Sequence, residues 1–575
     1  MKKVLMLLAL AASVAACKSD GPDEPEKGNT EPIKCSWTAD PAENATTEDE
    51  VTFTADITGG KAPYTCTWTI NSKSGAETLS STESVVKYVF PAVGTYSIRL
   101  DVSDSEGNKA AKSYTQVYTV QAPKVEDKGD IKVEWYVDFA DEGGGVRGSA
   151  PAVDDAGNIY IATSVNGGGR LRKVSPDGKT LSDVALESAP GNTCGSPSID
   201  KDGNVIVFGG SGAGGSMLKY TSSLSKVWRG EFIGYKNGWA VSNANPKLWY
   251  GAPVIAGDYV LVGNAGTTGL VGAVALSDGT RVSYVTNEAG TGGPQGGCRQ
   301  SPAVSNDGYV WQVCAGNGIL GVQLSDITKA GIVHYDWLAS QGSDGALFTS
   351  GSDRPAMAVV NVGGENYAAG VNTPENSCTQ VLLIDRKNGK SKGFAINSTN
   401  TSIENKVSQD QGAAVIGNDN EIIVNLKAGN GEDGGIVAVD PSTMTLAWEF
   451  RLAESVSSGA AVTKEGNVVF GTDAGNFYII RPGKASGKAE LIAKANINEI
   501  LTAAGMPIAN EEMFKVKMWS QATIADDGKI YIGFQRSDST TSSGLLCLST
   551  SACTGVGTSG WPMFGVDRKH TGVQK

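Results

Sequence analysis

Only two histidines occur in this chain, His334 and His570, and that shortage bounds the chemistry before any fold is considered. Neither a nucleophile–histidine arrangement nor a histidine-built metal site can be assembled from them. His334 lies in the run IVHYDW (Ile332–Trp337), where alternation makes it a packed or edge residue, and His570 reads as structural. Aspartate-rich turns such as Asp200-Lys201-Asp202-Gly203 lack the ligand run and terminal glutamate of an EF-hand calcium loop. They recur where a hairpin needs positive φ, so they read as turn chemistry. Carboxylates are plentiful, yet nothing singles out a pair for glycoside hydrolysis. The expectation is no catalytic residue, no metal and no cofactor.

Binding chemistry remains. Four long connections, Gly234–Tyr250, Asn287–Arg299, Ala339–Asp353 and Asn496–Trp519, carry Tyr235, Trp239, Trp249 and Trp519, and Trp337 ends a strand feeding one of them. Arg299, Gln300, Arg354 and Gln411 stand just before recurring small-residue segments. Planar aromatics with amide and guanidinium neighbours suit stacking on a sugar ring and hydrogen bonds to its hydroxyls. The candidate ligand-binding set is Tyr235, Trp239, Trp249, Arg299, Trp337, Arg354, Gln411 and Trp519. Set against it is plain packing of the loops on one another, since aromatics bury well anywhere.

The elements that must position these residues are repeats. GSAPAVDDAGNIYIA (Gly148–Ala162) returns as GSPSIDKDGNVIVFG, GAPVIAGDYVLVG, SPAVSNDGYVWQV, RPAMAVVNVGGENYAAG, GAAVIGNDNEIIV, GAAVTKEGNVVFG and QATIADDGKIYIG. Counted at the proline or its stand-in, the copies fall at 151, 197, 253, 302, 355, 413, 460 and 522. Short strands at a period of about fifty residues signal a propeller. The small residues suit inner strands crowded round an axis, and the Asp/Asn-Gly turns suit hairpins into a second strand. Apolar and then aromatic runs complete each unit. The strand VEWYVDF (Val133–Phe139) precedes the first copy, so the chain ends should meet in one sheet and remove the exposed edges. The reading is all-β, with eight blades, or seven if the weak fifth unit is an excursion. Asp440–Trp448 and the closing WPMFGVDRKHTG resemble the quinoprotein-like, or PQQ-like, propeller family over residues 133–575. Some members of that family are quinone-dependent dehydrogenases and others are envelope scaffold lipoproteins. The dehydrogenases carry an adjacent cysteine pair under the cofactor; no Cys-Cys dipeptide or Cys-x-x-Cys-His run occurs here, so that activity is rejected.

Upstream, residues 1–16 read as an export signal, too short to span a bilayer. Val14-Ala15-Ala16-Cys17 resembles a bacterial lipobox, which implies lipidation of Cys17. Residues 17–32 are acidic, Pro/Gly-rich and unable to bury a core, a tether. They also resemble the acidic patch that directs some lipoproteins to the outer face of the outer membrane. Residues 33–123 show short strands at regular spacing, a small Ig-like β-sandwich. VTFTADITGGKAPYTCTWTI and YVFPAVGTYSIRLDVSDSEGNKA resemble a PKD domain, although Trp68-Thr69-Ile70-Asn71 departs from the usual stretch. Trp68 is read as core, the domain as a spacer, and residues 124–132 as a linker. A helix is expected over Asn496–Gly505, capped by Asn496.

The net charge of −13 argues against nucleic acid as a partner, and contact with a membrane is expected only through the lipid anchor. Eight cysteines follow Cys17. In an oxidising compartment the candidate pairs, ranked by expected geometry since sequence does not fix connectivity, are Cys35–Cys66, Cys298–Cys314 and Cys547–Cys553, with Cys194 and Cys378 left over. The expected protein is an outer-membrane lipoprotein at the cell surface, or alternatively on the periplasmic side. Its first expected role is non-catalytic binding of a glycan. The second is a scaffold docking an envelope protein, and the third a polysaccharide-cleaving enzyme.

Overall fold

A computed structural model describes residues 31–575 apart from 44, 46–48, 73–74, 82–83, 91–93, 121–129, 140–144, 146–148, 166–167, 187–194, 210–215, 231–232, 237–238, 243–250, 264–270, 287–299, 315–317, 340–355, 374–377, 408–411, 430–431, 511 and 539–540. The export signal, Cys17 and nearly all of the tether lie outside the described residues. The chain divides into two compact units, a smaller one before residue 119 and a larger one that takes in Thr119–Lys575. No helix among the described residues is long and apolar enough to cross a membrane.

The smaller unit is a sandwich. One sheet orders Lys34–Asp40, Glu50–Thr58 and Val85–Val89; the other orders Gly75–Ser81, Thr65–Ser72, Gly94–Ser103 and Tyr114–Val120. Burial alternates along Gly94–Ser103, as one face packing on a core demands. The core is aromatic. Phe53 meets Trp37 edge-on at 5.3 Å and Tyr118 at 5.5 Å, and Trp68 is fully buried as expected. Asp104 accepts hydrogen bonds from the backbone N–H groups of Glu106, Asn108 and Lys61, so one carboxylate ties two neighbouring turns together.

The larger unit is a propeller. Each repeat supplies the inner and second strands of one antiparallel sheet. Among the described residues, eight sheets begin on such inner strands, at Ala152–Val153, Ser198–Ile199, Val254–Ala256, Ala303–Val304, Ala358–Val362, Val415–Ile416, Ala461–Val462 and Thr523–Ile524. They are called the first to eighth sheets below. The weak fifth repeat builds a complete four-stranded sheet, because Gly363 and Gly364 at φ 62° and 90° turn Val362 back onto Glu365. Lys132–Asp138 pairs antiparallel with Thr541–Ser549 as the outer strand of the eighth sheet, which closes the ring. The connection Gly234–Tyr250 holds a hairpin of its own, Ile233–Lys236 against Trp239–Ser242.

Tryptophans join neighbouring sheets. Trp135 of the eighth sheet donates its indole N–H to the carbonyl of Pro176 in the first, 2.9 Å away, over Gly178. Trp228 of the second sheet donates likewise to Leu276 in the third at 3.1 Å, over Gly279, and Trp337 of the fourth to Arg386 in the fifth, over Gly389. These glycines take φ 82°, 74° and 68°, and a Cβ on any of them would collide with the indole. The turn glycine meets two demands at once, a left-handed backbone and contact with a flat ring.

Two expected disulfides are corrected. Cys35, Cys66, Cys547 and Cys553 are free thiols. Cys547 packs with Tyr531 and Val153 on one side of its strand, whereas Cys553 joins a separate cluster with Ile524 and Met563. Burial first pushes each of these two thiols up to about 12. Cys35 Sγ is directed to the carbonyl of Lys112 instead. Cys298 lies outside the described residues, and so does the side chain of Cys314.

Candidate functional site

The two faces of the propeller are built differently. The Asp-Gly hairpin turns between inner and second strands lie on one face. Their aspartates are consumed locally: Asp200 accepts from the N–H groups of Asp202 and Asn204 and pairs with the buried Lys219 at 2.9 Å. Three turn positions with filled acceptors are not a metal loop, and no metal-holding group of side chains occurs among the described residues. The C-terminal residues 556–575 lie against this face. Among the described residues, the turn at Asp473 between second and third strands and the residues leading into the inner strands lie on the other.

On that other face the sixth, seventh and eighth sheets bring one cluster together. The helix Ile497–Ala503 forms where expected, with Asn496 Oδ1 accepting from the Glu499 N–H at 3.3 Å and Gly505 at φ 78° after its end. Its Ile497 and Leu501 are fully buried, so its apolar side seals the core. Asn498 accepts from the Val516 N–H at 2.6 Å, and the Met518 N–H donates to the Thr472 carbonyl at 3.1 Å. These bonds fix Lys517 and the half-buried Trp519 beside the turn at Asp473. The Lys517 ammonium stands 4.6 Å from the centre of the Trp519 ring. Ser457 Oγ donates to Asp473 Oδ2 at 2.9 Å, while Oδ1 is buried without a hydrogen-bond partner. Burial raises the Asp473 carboxyl above its ordinary range; Ser457, Lys517, Trp519 and Lys427 pull it back.

Nearer the axis, polar side chains are buried and unsatisfied. Ser149, Ser458 and Gln521 are each 1% exposed and Gln300 is 2% exposed. Among the described residues, the hydroxyl oxygens of Ser149 and Ser458, the carboxamide oxygen of Gln521 and both amide atoms of Gln300 have no hydrogen-bond partner. All four residues stand at the entry to inner strands, those of the first, fourth, seventh and eighth sheets. By contrast Ser196 and Ser301 are used up, accepting the N–H groups of Ala150 and Ala252 at 2.8 and 2.7 Å and stitching adjacent inner strands together. Beyond them the axis narrows to a cavity of about 10 Å³, lined by Ala252, Ala356, Ala413, Phe564 and His570. That is room for a single water.

Of the eight ligand-binding candidates, Trp519 takes part in the cluster. Trp337 does not: its indole is spent on the joint between the fourth and fifth sheets. Tyr235 and Trp239 sit in the added hairpin, where backbone alone is described, and Trp249, Arg299, Arg354 and Gln411 lie outside the described residues. Sequence reasoning missed Asp473, Ser457 and Lys517. No local signal in the sequence sets Asp473 apart, because the carboxylate gains its setting from Ser457 and Lys517, which lie in other stretches.

Residues 38–117 match the family model of the PKD domain. Among curated proteins none matches the chain. Among solved structures, the quinohemoprotein alcohol dehydrogenase ADHIIG from Pseudomonas putida HK5 is similar at 13% identity and a TM-score of 0.49, over 75% of this chain and 78% of that one. BamB from Moraxella catarrhalis is similar at 13% identity and a TM-score of 0.40, over 72% of this chain and 99% of that one. A quinonprotein alcohol dehydrogenase-like protein from Bacteroides thetaiotaomicron is similar at 11% identity and a TM-score of 0.30, over 88% and 96%. Likeness at such identities concerns the arrangement of sheets and carries no activity with it.

Proposed function

We propose that this is a non-catalytic lipoprotein, anchored through Cys17 at the cell surface, that binds a glycan on the loop-bearing face of its propeller. The observation that carries the reading is the meeting of Trp519, Lys517, Asp473 and Ser457 on the face that the C-terminal residues leave free. An indole offers a flat apolar surface to the C–H side of a sugar ring. A carboxyl with an uncommitted, buried oxygen takes hydroxyl hydrogens, and a neighbouring ammonium and hydroxyl supply the opposite polarity.

The test is affinity electrophoresis of residues 33–575 through gels containing single polysaccharides, neutral and acidic. Retardation by one glycan is expected, with Trp519→Ala and Asp473→Asn each weakening it about tenfold or more, the loss of one stacking or charge-assisted contact. Retardation by none would sink the glycan reading and move the protein to the scaffold class. For the anchor, Cys17→Ser is expected to shift the protein from the membrane to the soluble fraction and to abolish incorporation of labelled palmitate; an unchanged distribution would refute it.

A further inference from the structure

The C-terminal residues 556–575 follow a course that the repeats do not require. The Gly557 N–H donates to the Val462 carbonyl in the seventh sheet, and Ser559 Oγ donates to the Ile416 carbonyl in the sixth. From there the chain proceeds round the axis in the order of the sheets. The Ile416 N–H donates to Trp561 at 2.8 Å, and the Val462 N–H to Pro562 at 2.8 Å. In the eighth sheet the Ile524 N–H is directed at Met563 Sδ, 3.5 Å away. The Val153 N–H of the first sheet donates to Arg568 at 2.7 Å, Ile199 of the second to Lys569 at 2.8 Å, and Ile255 of the third to Thr571 at 2.9 Å. In the fourth, the Gln574 N–H donates to Val304 at 2.8 Å. The Lys575 N–H then reaches the carbonyl of Gly560 at 3.4 Å, so the segment closes on its own beginning. Trp561 and Val566 pack into the core that the fifth sheet shares.

We propose that residues 556–575 are a lock, a second and inner circle that couples the sheets of the ring into one cooperative unit. The physical reason lies in the inner strands. Most are two or three residues long and would leave backbone N–H groups unpaired along the axis, where no neighbouring strand can reach them. One segment accepts such an N–H from each of the first, second, third, sixth and seventh sheets, so prising these apart also breaks the inner circle. The seam where the ring closes receives a charged clasp. Arg568 reaches Asp155 of the first sheet at 2.8 Å and Asp526 of the eighth at 2.9 Å, and Lys569 joins Asp155 at 2.6 Å. His570 is wholly buried, with Nδ1 2.8 Å from the Pro197 carbonyl and Nε2 3.4 Å from Thr523 Oγ1. It thereby joins the second sheet to the eighth across the axis.

Hydrogen exchange of the full chain, read by mass spectrometry, tests this. In the lock, the segment and the inner strands open only together. The expected result is that peptides covering 561–574 exchange as slowly as those covering the second strands Ile159–Val165 and Ile422–Leu426, with the same dependence on denaturant. Exchange of the segment on the order of 100-fold faster, by local opening while the sheets stay protected, would overturn the proposal. Arg568→Ala supplies the second arm. A lock predicts faster exchange in the inner strands of the first, second, third and eighth sheets together. An increase confined to residues touching Arg568 would equally overturn it.

Discussion

His570 is the residue whose chemistry is most altered by its place. Burial, only partly opposed by the Pro197 hydrogen bond and the charge of Asp567, holds its imidazole down to about 4. The native state therefore keeps this histidine neutral in a range where the unfolded chain, near 6.5, takes up a proton. Stability is undiminished above pH 6.5 and falls as pH drops, by about 1.4 kcal/mol per unit, until roughly 3 kcal/mol is lost near pH 4. Urea unfolding at pH 7 and pH 5 of the wild type and His570→Gln isolates this contribution. The variant should be less stable at pH 7 and should lose less on acidification; identical pH dependence in the two would exclude His570 as the cause. The structural role of His570 is legible in its place in the closing phrase, but its protonation state follows from burial that no spacing reveals.

At the scale of the element, the joints between sheets are the sensitive points. A Cβ at Gly279 would lie 2.7 Å from the Trp228 ring on a backbone at φ 74°, so Gly279→Ala should destabilise by about 1–3 kcal/mol. Gly308 has a similar φ of 81° with its nearest atom at 3.9 Å, and Gly308→Ala should cost only the backbone part. Thermal unfolding of the two variants compares them directly. Equal losses would mean that the tryptophan contact contributes nothing beyond the turn. The helix over Asn496–Gly505 was legible because its signals are local, an asparagine cap and a terminal glycine. The pairing of Trp228 with Gly279 was not, because it joins residues of different repeats, and sequence alone left Trp337 open to a ligand role that its own joint removes.

For the whole molecule, closure rests on a strand from far away in sequence. Arg536 is paired with both Asp138 and Asp538 at this seam, where Lys132–Asp138 lies beside Thr541–Ser549. Deleting residues 1–139 should leave the eighth sheet with a bare edge and a chain that aggregates, whereas deleting 1–123 should retain a folded ring. Size-exclusion chromatography of both forms decides; equally monodisperse behaviour would show that the outer strand is dispensable. This closure was read from the sequence because a strand without a repeat of its own precedes the first repeat.

The sequence by itself determined the all-β class, the period of the repeats, the PKD-like unit and the strand that closes the ring. Each of these is written in periodicity or in local turn chemistry, which a chain carries whatever its distant parts do. The three-dimensional structure decided which side chains share a place. It brought Asp473, Ser457 and Trp519 together from three successive stretches, directed Trp337 into a joint, kept Cys547 and Cys553 in separate clusters, and wound the C-terminus into a circle. Those outcomes depend on how sheets rotate about a common axis, and the contacts that result are set by angle and radius, quantities with no counterpart in residue order.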